Sequence, residues 1–94
     1  MIVTISGYVE SIKNVRQFKN THLVEFIVRQ EGTNRQHYYI LRAVSTGESD
    51  AFKIESIIGY PITAECYLNG RKSDGDKGPY YSNDLQIKTL RTNV

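Results

Sequence analysis

A chain of 94 residues has room for one hydrophobic core and too little for two, so a single domain over residues 1–94 is expected. Hydrophobic residues make up 39% and charged residues 23%, which excludes the composition of a disordered chain. The formal charge of +2 is too small for the whole-molecule field to draw phosphate strongly, so the placement of the cations matters more than their sum.

In chain order, Ile2 to Ile12 alternates, with Val3, Ile5 and Val9 on one side and Thr4, Ser6, Tyr8 and Glu10 on the other, which predicts a half-buried strand. Gly7 falls inside it, where a missing side chain permits the bend that a barrel corner needs. Lys13 to Thr21 is polar and basic and reads as a loop. His22 to Gln30 alternates again around Val24, Phe26 and Val28, a second strand, and Glu31-Gly-Thr-Asn-Arg35 carries turn residues. His37 to Val44 supplies aromatic and β-branched residues for a third strand.

The period then changes. Ser45-Thr-Gly-Glu48 resembles a capping box, and Ala51, Ile54 and Ile58 recur at helical spacing until Gly59 and Pro61, predicting a short helix over 48–58. Ile62, Ala64, Cys66 and Leu68 restore a period of two for a fourth strand. Asn69 to Pro79, rich in Gly, Ser, Asp and Lys, reads as an exposed hairpin loop, and Tyr80 to Arg91 as a fifth strand centred on Leu85 and Ile87. Three strands, a helix and two strands is the order of the oligonucleotide-binding (OB) fold, an all-β, five-stranded Greek-key barrel with the helix between strands three and four. A Src-homology-3-like barrel also has five short strands, but it has no natural place for the helix.

Ile5-Ser-Gly-Tyr-Val9, Phe26-Ile-Val28, Tyr38-Tyr39 and Gly59-Tyr-Pro-Ile-Thr-Ala-Glu-Cys-Tyr-Leu68 resemble bacterial single-stranded-DNA-binding proteins and the related primosomal replication protein. Asn69-Gly-Arg71 followed by Pro79-Tyr-Tyr-Ser-Asn-Asp-Leu85 is similar to small single-domain relatives of that fold. The resemblance implies non-catalytic binding of single strands, with bases stacked on aromatics of strands two and three and the backbone tracked by basic loops. Members that act as replication hubs carry a glycine-rich tail with an acidic tip. Nothing follows Val94 here, so recruitment of partner proteins through a tail is not expected.

A sequence-tolerant single-strand binder needs cations along the phosphate path and flat rings for unstacked bases. Lys13, Arg16, Phe18 and Lys19 cluster in the first loop, and Arg71, Lys72 and Lys77, then Tyr80 and Tyr81, in and after the last. In an OB fold these two loops are expected to converge on one groove. Tyr67 is out of phase with the core set of strand four and should face outward, toward a base or a second subunit. Tyr38 and Tyr39 point to opposite faces; Tyr38 shares its face with Arg42 and is assigned to binding, Tyr39 to the core. Phe26 and Phe52 are expected in the core. Glu10, Glu25 and Glu65 lie on outward phases, where free carboxylates repel phosphate.

His22 and His37 have no carboxylate at catalytic spacing, and Cys66, on an apolar phase and with no second cysteine to pair with, reads as an inert buried thiol. With no phosphate loop, nucleophile elbow or paired acids, neither an enzyme nor a cofactor or metal is expected. No apolar run approaches a membrane span and Met1-Ile2-Val3-Thr4 is unlike a signal peptide, so a cytoplasmic protein off the membrane is expected. The function read from the sequence is binding of single-stranded DNA, or RNA, in replication, recombination or repair, as a homodimer or homotetramer. The alternative is a protein-interaction barrel without a nucleic-acid site.

Overall fold

Period-two alternation with β-branched and aromatic residues produces five strands: β1 (Ile2–Phe18), β2 (Thr21–Glu31), β3 (Gln36–Thr46), β4 (Pro61–Gly75) and β5 (Gly78–Thr92). They close into a barrel in the order β1-β2-β3-β5-β4, the Greek-key arrangement of the OB fold. The computed structural model describes residues 1–32, 34–46 and 54–93.

Closure depends on β1 serving two partners. Residues Ile2 to Tyr8 pair antiparallel with β4, and Tyr8 to Phe18 pair antiparallel with β2. Gly7 stands at the change of partner, and a Cβ there would collide with the Arg29 carbonyl and lie 2.9 Å from the Val28 side chain. Glycine is therefore required for the close approach of β1 to β2, in keeping with the bend read from the sequence. Two register shifts, between Val9 and Ser11 and between Ile12 and Asn14, coil the strand further. The ring is completed by two parallel pairs, Leu41 with Leu85 and Arg42 with Gln86.

The core follows the expected phases. Ile5 and Val9, then Val24, Phe26 and Val28, then Leu41 and Ala43, then Ile62, Ala64 and Cys66, and Ile87 point inward and are buried. Val3, Ile12, Tyr39 and Leu85 pack against this set from its edges. Phe26 is fully buried, and its removal would cost about 3–5 kcal/mol in lost transfer energy and cavity.

Three boundaries differ from the sequence reading. Residues Lys13 to Phe18 continue β1 and leave only Lys19-Asn20 as the turn, with Lys19 at φ 48°. Asn69 to Gly75 and Gly78 onward are likewise strand, so the expected eleven-residue loop is a two-stranded ribbon of seven pairs from Asn69 with Asp84 to Gly75 with Gly78. In the β4–β5 ribbon the backbone ladder satisfies itself while most side chains meet solvent, and in the β1–β2 hairpin the Lys13 to Phe18 arm is mostly exposed, so neither segment needs apolar alternation to pair. Of the helix expected over 48–58, Ile54–Ile57 form one 3₁₀ turn that buries Ile54; positions 47–53, Phe52 among them, lie outside the described residues.

Candidate nucleic-acid interface

Cross-strand register turns the outer wall of β1, β2 and β3 into rows of neighbouring side chains. Tyr8, Arg29 and Tyr38 form one row, and the Arg29 guanidinium lies 5.6 Å from the centre of the Tyr8 ring. Tyr38 is 54% exposed and donates its hydroxyl to Gln36 Oε1 at 2.7 Å. Tyr39, on the opposite phase, packs against the core beside His37, with ring centres 6.5 Å apart. The next row, Ile27 and Ile40, gives the face an apolar floor, with Ile40 45% exposed.

The third row is charged. Glu25 and Arg42 face each other across β2 and β3, and Arg42 is followed by Gln86 on β5 and Tyr67 on β4. Arg42 Nε donates to Glu25 Oε2 at 3.1 Å, and its Nη1 lies 3.1 Å from Asp84 Oδ1. Arg71 reaches the same Asp84 carboxylate through Nε at 2.5 Å. Four charges thus alternate in sign over β2, β3, β5 and β4 and cancel. Burial works to raise the Glu25 carboxyl, but the hydrogen bond and charge of Arg42, the Asn14 amide and the charge of Lys13 outweigh it and hold the group below its ordinary value of 4.5. Glu25 is therefore not the free outward carboxylate expected; Glu10 and Glu65 do lie exposed.

The two hairpins lie toward opposite ends of β3. The Lys19-Asn20 turn follows the Phe18–Thr21 pair and sits beside the end of β3, where Thr21 faces Thr46. Because β5 runs parallel to β3 with Leu85 opposite Leu41, the ribbon extends the other way, past the start of β3. By register the hairpins bracket the outer face of β3 from its two ends, and the molecule measures 46 × 41 × 23 Å.

Lys13, Arg16 and Phe18 stand on β1 and Lys19 in its turn, all exposed, with Arg16 opposite Leu23 on the outer face. Arg71 and Tyr80 share the ribbon face continuous with that outer wall, whereas Lys72 and Tyr81 point to the other side. Gly70, Lys72, Tyr81 and Asn83, with Arg71 and Ser82, line an open surface depression of about 310 Å³. Lys77 is in the ribbon turn, and Tyr80 and Tyr81 are 58% and 72% exposed. Tyr67 is 40% exposed and also neighbours Ile2. Among the described residues, Lys13, Arg16, Lys19, Lys72 and Lys77 have no carboxylate within ion-pair distance.

Sequence reasoning passed over Tyr8, Arg29 and Ile40 as members of this face and did not single out Asp84. Alternation puts Tyr8 outside, but only strand register makes it a neighbour of Arg29 and Tyr38. Cys66 is buried as expected, and burial pushes its thiol up to about 11. Among the described residues no group of three His, Cys, Asp or Glu side chains is placed to hold a metal, and no helix is long and apolar enough to cross a membrane.

The geometry defines a small OB-fold barrel whose outer wall interleaves rings and guanidinium groups. No family model and no curated protein matches the sequence. Solved structures match its fold. The mitochondrial single-stranded DNA binding protein Rim1 of S. cerevisiae superposes with a TM-score of 0.75 at 12% identity, covering 99% of this chain and 94% of that one. A small single-stranded DNA-binding protein of Streptomyces coelicolor superposes with a TM-score of 0.61 at 13% identity, covering 100% of this chain and 94% of that one. At such identity the likeness establishes the fold.

Proposed function

We propose that the chain binds single-stranded DNA without chemistry on it, laying bases on exposed rings of the outer wall while cations of the two hairpins follow the phosphates. The observation that carries the reading is the row of Tyr8, Arg29 and Tyr38, which sets two exposed rings and a guanidinium side by side on adjacent strands. A ring that stacks one base contributes about 1–3 kcal/mol, so a few such contacts support useful affinity. Tyr67 and Tyr80 extend the same wall, Tyr81 and Lys72 serve the far face of the ribbon, and Arg42 and Arg71 stand between. Lys13, Arg16, Phe18, Lys19 and Lys77 supply the hairpin contacts. That structural neighbours of this fold are single-stranded-DNA-binding proteins supports the same reading.

Fluorescence titration with labelled oligo-dT and its duplex tests it. The expected outcome is preference for the single strand and a log–log salt slope of roughly −2 to −4, from three to five engaged cations at about −0.7 each. No binding by micromolar protein at low salt would sink it. Action in replication, recombination or repair, a cytoplasmic location and assembly as a homodimer or homotetramer belong to the same proposal, and sedimentation checks the last.

One observation favours a second reading, a protein-interaction barrel. The carboxylates of Glu25 and Asp84 cancel the two arginines nearest the middle of the wall. Nuclease-insensitive recovery of one defined protein partner, together with no affinity for oligo-dT, would decide for it.

A further inference from the structure

Asp84 lies between two guanidinium groups. Its Oδ1 is 3.1 Å from Arg42 Nη1, its Oδ2 is 2.5 Å from Arg71 Nε, and its side chain is 9% exposed. To an arginine, a carboxylate and a phosphodiester offer the same feature, a pair of anionic oxygens taken by a fork of N–H donors. Arg42 is aimed independently of Asp84, because its Nε is held at 3.1 Å by the buried Glu25. Arg71 comes in from the ribbon and is 59% exposed. The two guanidinium groups therefore converge on one anion position at the root of the ribbon, on the outer wall between Tyr38 and Tyr67.

We propose that Arg42 and Arg71 form a phosphate-binding site whose anion position Asp84 fills in the free protein, and that a backbone phosphate of a bound single strand displaces its carboxylate. The inference rests on the single-strand reading and adds an internal competitor to it. Displacement needs only rotation of the short Asp84 side chain, with β5 left in place. In the closed state Glu25 and Asp84 cancel both arginines, so the site adds nothing to long-range attraction. In the open state Arg42 keeps its direction through Glu25, and Arg71 presents its donors to the incoming phosphate.

Competition has a signature that a purely structural ion pair lacks. Oligo-dT titrations of the full chain at several salt concentrations compare wild type, Asp84→Asn, Arg71→Ala and the double variant. Asp84→Asn is expected to bind several-fold tighter at every salt concentration, because the same phosphate is engaged without a carboxylate to displace. Arg71→Ala is expected to cost more in the Asp84→Asn background than in wild type, since only there is the guanidinium unoccupied at the outset. Asp84→Ser should show the same gain, and circular dichroism with thermal melting reports whether each variant keeps the barrel. Folded variants that bind no better than wild type, or losses that simply add, overturn the proposal and leave Asp84 as a tie between ribbon and barrel. Unfolding of both Asp84 variants overturns it too, because a carboxylate the fold cannot spare is not displaceable. If wild type itself ignores oligo-dT, the parent reading falls and takes this one with it.

Discussion

Glu25 stands on the outer phase of β2 and is 7% exposed, because Arg42 across the sheet and Asn14 on β1 cover its carboxylate. The folded-state pKa is below the ordinary 4.5, so the ionised group contributes stability that is fully present above that value and is lost as pH falls through the lower folded one. Urea unfolding at about pH 6 and about pH 3.5 should show wild type losing more stability on acidification than Glu25→Gln, which has no proton to take up there. Equal losses would mean that the carboxylate is not what acid removes. Cys66 makes the opposite case. With its thiol at about 11, almost no thiolate exists near neutrality, which suits an inert core residue. That role was legible from its place among Ile62, Ala64 and Leu68, whereas the burial of Glu25 was not, because a polar residue on an outward phase gives no sign of the partner that will cover it.

At the scale of elements the two hairpins matter most, since both extend beyond the part of the sheet that encloses the core. The β4–β5 ribbon turns at Asp76-Lys77, and Gly78 after it has φ 110°, a conformation L side chains rarely adopt. Gly78→Val should therefore strain the turn by about 1–3 kcal/mol and loosen the ribbon while leaving the barrel folded. Faster amide exchange from Arg71 to Ser82, with β1 to β3 unchanged, would show it; uniform loss of protection would mean that the ribbon and barrel open together. Strand positions were legible wherever one face meets the core, since burial imposes alternation on the sequence. Lys13 to Phe18 and Asn69 to Gly75 escaped that reading for the same reason inverted: an arm whose own side chains are mostly exposed is held by its ladder, and a ladder has no side-chain pattern.

For the whole molecule, the outer wall of β1, β2 and β3 joins one side of the ribbon through the pairing of β3 with β5 at Leu41 and Arg42, and that side carries Arg71 and Tyr80. A strand lying along that wall meets Tyr8 and Tyr38 first and Tyr80 further out, while Tyr81 faces away. Tyr8→Ala and Tyr38→Ala should each weaken oligo-dT binding by about 1–3 kcal/mol, and Tyr80→Ala should cost more than Tyr81→Ala. The reverse order for the ribbon pair would move the path to its other face. The sequence by itself determined the number and order of strands, the inward set from Ile5 to Ile87, and the pool of rings and cations from which a single-strand site would be drawn. Burial and turn formation act on near neighbours and so leave their mark on local pattern. Only the tertiary structure decided which side chains stand beside one another across strands, that the two basic hairpins bracket one face from opposite ends of β3, and that Arg42 and Arg71 share Asp84. Those facts depend on register and barrel closure between residues as distant in sequence as Glu25, Arg42 and Asp84, and no local pattern encodes them.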